Sequence, residues 1–204
     1  AGKGQEQASA APSRQHTLSS PLARYVIRPH AEPLPAQRPG TVPAGLYVLV
    51  PDKLGVAAAL GERLELDGAR VRLMPEAALA SEDAVGKWLG TVGAEDRIRG
   101  IVDLRPVRPA GDGDWSDFAV WRHGMESQVK ALFPVLRFAA SDLADGGRVL
   151  VASGMGGYFA RDALDHPGRQ TAFPGAGGGV GLIKCLSLEW VGCRCKAIDL
   201  DLDQ

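Results

Sequence analysis

Ser153 follows the apolar run Arg148-Val149-Leu150-Val151-Ala152, and Tyr158 lies five positions beyond it. A hydroxyl at the carboxyl end of a strand stands where open α/β sheets do their ligand chemistry, so this pair is the natural candidate for proton transfer to a carbonyl. The pair would need a lysine four residues after the tyrosine, and position 162 is Asp. Lys184 follows no tyrosine at helical spacing. His16, His30, His123 and His166 are dispersed, without the HxH or HxxxH spacing that would place two imidazoles on one metal, and read as surface residues. Cys185, Cys193 and Cys195 are an odd number crowded near one end, which fits neither a disulfide framework nor a four-thiolate zinc site. They read as reduced, partly buried thiols.

Phosphate chemistry would have to sit where the first strand turns into the first helix. A dinucleotide needs a glycine-rich turn there, so that backbone amides can approach the pyrophosphate at the helix N-terminus. The chain reads Val50-Pro51-Asp52-Lys53-Leu54-Gly55-Val56 instead. Gly55 is its sole glycine, Pro51 lacks an amide donor, and Asp52 puts a negative charge where the diphosphate would lie. After the second strand, Arg72 and Glu76 could read a ribose but belong to no recognisable motif. Ser153-Gly154-Met155-Gly156-Gly157 and the glycines from Gly175 to Gly181 come too late in the chain for a first crossover and read as loop and close helix packing. No catalytic, cofactor-binding or metal-binding residue is assigned, and no cofactor is expected.

The elements that position these residues follow from periodicity. Leu46-Tyr47-Val48-Leu49-Val50 is a continuous apolar run, as expected of a strand buried on both faces of a parallel sheet. Residues 53–67 set Leu54, Ala58, Leu60, Leu64 and Leu66 around one helical face, and Gly68 stops the helix. A strand is expected over 69–74. A helix capped by Ser81 should carry the stripe Val85, Trp88, Leu89 and Val92, and another strand should run over 98–104. Asp114 or Ser116 caps a long helix running to about Leu143, which Pro134 should bend or divide, with Gly146-Gly147 at its end. Strands over 148–152 and 195–200 flank a helix that leaves the 175–181 glycine run and ends at Trp190. The alternation predicts an α/β fold: a truncated Rossmann-like, doubly wound parallel sheet with helices on both faces.

Residues 1–23 are small and polar without period, and read as a linker or tag remnant, disordered or extended; residues 24–204 form the domain. Arg24-Tyr25-Val26-Ile27-Arg28 has strand composition, and Pro29 to Pro43 should run as an extended strap. The chain is 45% hydrophobic and 23% charged, with 23 Lys and Arg against 24 Asp and Glu, so no broad field draws nucleic acid or anionic lipid. No apolar run reaches the length of a membrane span, and the N-terminus lacks the apolar stretch of a secretory signal, so a cytoplasmic location is expected.

Three stretches carry a resemblance. They are Arg24-Tyr25-Val26-Ile27-Arg28-Pro29, the degenerate crossover Leu49 to Gly55, and the ending Gly181-Leu182-Ile183-Lys184-Cys185-Leu186-Ser187-Leu188-Glu189-Trp190 followed by Cys193 to Asp201. They resemble the N-terminal half of ketoreductases in type I polyketide synthases and polyunsaturated fatty acid synthases, within the short-chain dehydrogenase/reductase superfamily. That half is a cofactor-less structural subdomain. The resemblance spans about residues 24 to 203 and reaches no catalytic motif. It implies that the nicotinamide cofactor and active-site groups belong to a following catalytic subdomain, beginning about where this chain stops. The expectation is therefore a domain that is not an enzyme on its own but a fragment of a multidomain polyketide or fatty acid synthase. It would brace the catalytic reductase half, or an adjacent dehydratase, methyltransferase or enoylreductase domain of the same polypeptide, with acyl carrier protein nearby. A pseudo-ketoreductase belongs to the same reading. The glycine-rich loop from Met155 to Gly179 would contact a neighbouring domain. The alternative is an active NAD(P)-dependent short-chain reductase that acts on a β-ketoacyl substrate with Ser153 and Tyr158.

Overall fold

The structure, a computed structural model, describes His30 and residues 42–108, 114–160 and 173–202. The chain divides into two units, Ala1–Pro33 and Leu34–Gln204. Of the first only His30 is described, and it is exposed. The expected strand over 24–28, most of the expected strap, and His16, Asp162 and His166 lie outside the described residues.

Five parallel strands form the sheet of the second unit: β1 (Leu46–Val50), β2 (Arg70–Leu73), β3 (Ile98–Asp103), β4 (Asp145–Ser153) and β5 (Gly192–Asp199), in the order β2-β1-β3-β4-β5. Strand β1 is buried along its whole length, as a central strand with covered faces must be. Helices α1 (Val56–Leu66), α2 (Glu82–Glu95), α3 (Phe118–Gly124), α4 (Leu132–Phe138), α5 (Ala140–Leu143) and α6 (Gly177–Glu189) supply the crossovers. The fold is the α/β, Rossmann-like class that the alternation predicts.

The pleat divides the apolar residues into two cores. On one face Leu46, Val48, Val50, Ile101, Val149 and Val151 pack against α2, α4, α5 and α6. On the other, Leu49, Val71 and Val102 pack with Ala57, Leu60 and Leu64 of α1. Helix α1 corrects the expectation from spacing: Ala57 and Gly61 are its buried residues, while Leu54 and Leu66 are exposed. Gly61 lies beside Val71 and Leu49, and only Leu60 and Leu64 of the expected leucines pack on this face, so the leucine count misleads.

Helix α2 follows expectation. Ser81 Oγ accepts the Ala84 amide at 3.1 Å, and Val85, Leu89 and Val92 are buried. The long third helix is divided, with α3 passing into a π-helical stretch at Met125–Lys130 before α4 and α5. Its cap is Asp117, whose Oδ1 accepts the Ala119 and Val120 amides, whereas Asp114 accepts the amide and hydroxyl of Ser116 in the preceding turn. Pro134 stands in the first turn of α4, where its missing amide costs no helical hydrogen bond. Its ring would meet the carbonyl four residues back, on Lys130, which is the last residue of the wider π stretch.

Strands β4 and β5 begin earlier than their apolar composition indicates, because Asp145 and Gly192 already pair across them. Helix α6 starts inside the glycine run at Gly177, after a 3₁₀ turn at Pro174–Ala176. Among the described residues no helix is long and apolar enough to cross a membrane.

Gly100 on β3 makes room for Tyr47 on β1. A Cβ there would lie 2.5 Å from the Tyr47 ring, whose hydroxyl donates to the Pro43 carbonyl at 3.1 Å. Gly100→Ala is expected to lower stability by about 1–3 kcal/mol, the usual range for overpacking, measured by urea denaturation. An unchanged midpoint would show that the tyrosine is not wedged as described.

Candidate functional site

In the order β2-β1-β3-β4-β5 the connections leave β1 toward opposite sides, so the crevice outside the carboxyl ends of β1 and β3 is the topological switch point. Ligands of open α/β sheets bind at such a crevice, and one lip of it is the turn from β1 into α1. Asp52 occupies this turn. Its Oδ2 accepts the amides of Leu54 at 2.7 Å and Val56 at 3.1 Å, and its Oδ1 accepts that of Ala57 at 2.7 Å. Burial pulls the Asp52 pKa upward, but the bonds from Ala57, Val56 and Leu54 outweigh it and hold the carboxyl below its ordinary 3.8. Gly55 takes a left-handed φ of 88°, which lets the chain fold around that carboxylate. The carboxylate therefore uses the amides that a bound diphosphate would need at this helix N-terminus.

The other lip is built by Asp103 and Arg105, where β3 ends. Asp103 is fully buried, and Arg105 grips it with both fork nitrogens, Nε to Oδ1 at 2.8 Å and Nη2 to Oδ2 at 2.7 Å. Arg105 Nη1 also donates to the Ser127 carbonyl at 2.8 Å, tying this lip to the π-helical stretch. The next residue, Gln128, is buried with its Nε2 unpartnered.

Ser153 stands at the carboxyl end of β4, as expected, but its hydroxyl is engaged. It donates to Asp199 Oδ1 at 2.6 Å, and the same oxygen accepts the Met155 amide at 2.7 Å. Asp199 Oδ2 accepts the Phe159 amide at 2.8 Å. Phe159 and Ala160 carry positive φ of 54° and 56°, a costly state for non-glycine residues, and the Asp199 bond helps to hold it. Tyr158 lies on this loop and is 48% exposed, so the Ser153–Asp199 contact does not enclose it. Sequence reasoning assigned Asp199 no role; the signal available was an acidic residue closing β5, the strand beside β4.

The remaining candidates lie apart from the crevice. Arg72 donates to Glu95 Oε2 at 2.8 Å on the outer side of β2, and Glu76 is exposed in a 3₁₀ turn. His30 and His123 are exposed, and no group of three or more metal-ligating side chains occurs among the described residues. Cys185 is exposed, contrary to the expectation of partly buried thiols throughout, while Cys193 is buried and Cys195 half-buried. Burial, together with the neighbouring Cys195, pushes the Cys193 thiol up to about 12 and keeps it protonated. The glycines at 154–157 form a turn after β4 and those from Gly177 open α6, which agrees with loop and helix packing. Residues 161–172 of the loop from Met155 to Gly179 lie outside the described residues.

No protein family and no curated protein matches the chain by sequence. Solved structures match it clearly in fold. A small-chain dehydrogenase superposes with a TM-score of 0.59 at 18% identity, covering 77% of this chain and 82% of that one. Levodione reductase gives 0.60 at 16% identity, covering 74% and 69%. An enoyl-(acyl-carrier-protein) reductase from Anaplasma phagocytophilum, in complex with NAD, gives 0.60 at 14% identity, covering 74% and 68%. The chain therefore has the fold of short-chain dehydrogenases and reductases.

These matches correct one expectation. The sequence reading took the chain as not an enzyme on its own, a fragment of a polyketide or fatty acid synthase with its reductase activity in another segment. The structures it resembles are dehydrogenases and reductases, and it spans 82% of the first of them. Nothing ties it to a synthase. The expectation rests mainly on the shared ending and the order of elements, and the matching dehydrogenases and reductases have the same fold.

Asp52→Ala removes the acceptor for three amides and is expected to cost about 0.5–2 kcal/mol, the range for a lost helix cap. The group's folded pKa lies below its ordinary 3.8, so its contribution is full above that value and is lost as the pH falls through the folded pKa. Denaturant midpoints of the two proteins should thus differ at neutral pH and converge in acid. A pH-independent difference would contradict a stabilising carboxylate.

Proposed function

We propose that this chain is a structural domain of ketoreductase type that braces a neighbouring domain during reduction of a β-ketoacyl group. The single observation that carries the reading is the Asp52 carboxylate bonded to the amides of Leu54, Val56 and Ala57. A diphosphate approaching those amides would meet a negative charge already in its place. Displacing the carboxylate would break three hydrogen bonds before any new one formed. The Ser153 hydroxyl, bonded to Asp199, is likewise occupied in holding a loop. What such a domain offers is packing surface, on the scale of roughly 600–1,500 Å² for contacts between domains.

A second reading is a dinucleotide-dependent reductase working from its own crevice. It is favoured by the place of Ser153 at the carboxyl end of β4, by the unpartnered Gln128 Nε2 beside Ser127, and by a fold neighbour that was solved with NADPH. In this reading Asp52 must swing off α1 as the cofactor enters.

One titration separates the two. NADPH and NADP are added to the chain while the fluorescence of Trp88, Trp115, Trp121 and Trp190 is followed. The structural reading expects no saturable change up to millimolar nucleotide. Saturation in the micromolar range would overturn it in favour of the reductase.

A further inference from the structure

Cys193 and Cys195 stand two positions apart on β5, so both side chains leave the same face of the strand. The register Val149↔Cys195 puts that face on the side of the larger core, where Cys193 is buried and Cys195 packs half-buried beside it. Their sulfurs are 3.9 Å apart, and both thiols are free. Two neutral thiols gain little from each other, because S–H is a weak donor and sulfur a weak acceptor. What the pair supplies is two soft ligands at a set separation.

That separation decides what the pair can join. A disulfide needs sulfurs about 2.05 Å apart and Cα atoms within roughly 4.4–6.8 Å of each other. Two residues of extended strand span about 6.6–6.8 Å, at the far end of that window, so the bond would have to contract β5 against its ladder with β4. A metal ion asks for no such movement. With bonds of about 2.3 Å and a tetrahedral angle, two thiolates on one ion lie ~3.8 Å apart, which is the spacing already present. Both ligands are sulfur, and thiolates select soft ions. The surrounding charge narrows the choice. Burial keeps the free Cys193 thiol protonated, while Arg148 on β4 acts electrostatically in favour of its thiolate. Two thiolates on a monovalent ion keep one net negative charge for that guanidinium to offset, and on a divalent ion they keep none.

We propose that Cys193 and Cys195 form a two-sulfur site for one soft monovalent metal ion of the Cu(I) class. On binding, each S–H bond gives way to a metal–sulfur bond and its proton passes to solvent, with no change in the oxidation state of metal or sulfur. The site does not depend on whether the switch-point crevice holds a nucleotide. Asp52, Asp103 and Ser153 take no part in it.

The test uses the full chain carrying Cys185→Ser, which removes the exposed third thiol. Cu(I) is offered as its coloured complex with the chelator bicinchoninate, in air-free ascorbate buffer. This protein should withdraw one copper per chain, read as loss of the complex's colour, and X-ray absorption at the bound copper should show two sulfur neighbours. Adding Cys195→Ser should weaken the uptake at least about a hundredfold, more than the loss of an outer-shell partner would. Serine is close in size and Cys195 is half-buried, so the variant should keep the parent melting temperature, which circular dichroism checks. The sulfur count in the Cys185→Ser protein needs no change at the pair, and so decides the matter even if that variant melts early. The proposal is overturned if no copper leaves the chelator, if uptake is equal after Cys195→Ser, or if fewer than two sulfurs surround the ion. Uptake that returns only when Cys185 is restored would also overturn it, by placing the ion elsewhere.

Discussion

The N-terminus of the first helix after a central parallel strand presents unsatisfied amides and a partial positive charge to the crevice of the sheet. Something must satisfy them. Here the chain supplies its own anion: Asp52 takes three amides within five residues of itself. The rest of the switch point is arranged around that choice. Gly55 adopts the left-handed turn that allows it, and Ala57 of α1 is buried directly behind the turn.

The same solution recurs along the carboxyl edge of the sheet. Asp52 after β1, Asp103 at the end of β3 and Asp199 at the end of β5 are each satisfied from within the chain, by amides, by the Arg105 fork, and by the Ser153 hydroxyl with two amides. Buried or half-buried carboxylates are tolerable only when paired in this way. An edge that in this fold class carries ligand chemistry thus carries internal ties, which join β1 to α1, β3 to the helix before β4, and β5 to the loop after β4. In the proposed structural reading, these internal ties are what hold the carboxyl edge together without a ligand.

Much of the fold was legible because it rests on local signals. The apolar run at Leu46–Val50, the Ser81 cap and the Val85/Leu89/Val92 stripe each predicted what the structure contains. The inner face of α1 was not legible, since Ala57 and Gly61 rather than Leu54 and Leu66 are the residues it buries, a fit between elements rather than a leucine period. Pro134 correctly signalled a divided helix, but the wider π-helical stretch that absorbs it leaves no sequence signature. The obstructive charge of Asp52 was visible, whereas its three bonds required the turn to exist. The Ser153–Asp199 bond joins residues 46 apart and could not be read from spacing. The resemblance to one half of a synthase ketoreductase rested on element order and a shared ending, and dehydrogenases and reductases outside any synthase match the same fold.

The most direct measurement is an NMR titration of the full chain that follows the Asp52 side-chain carboxyl carbon and the amides of Leu54, Val56 and Ala57. Asp52 should titrate below its ordinary value of 3.8, and the three amides should keep their shifts when NADPH is added at neutral pH. An ordinary Asp52 pKa, or saturable movement of those amides with NADPH, would contradict the account.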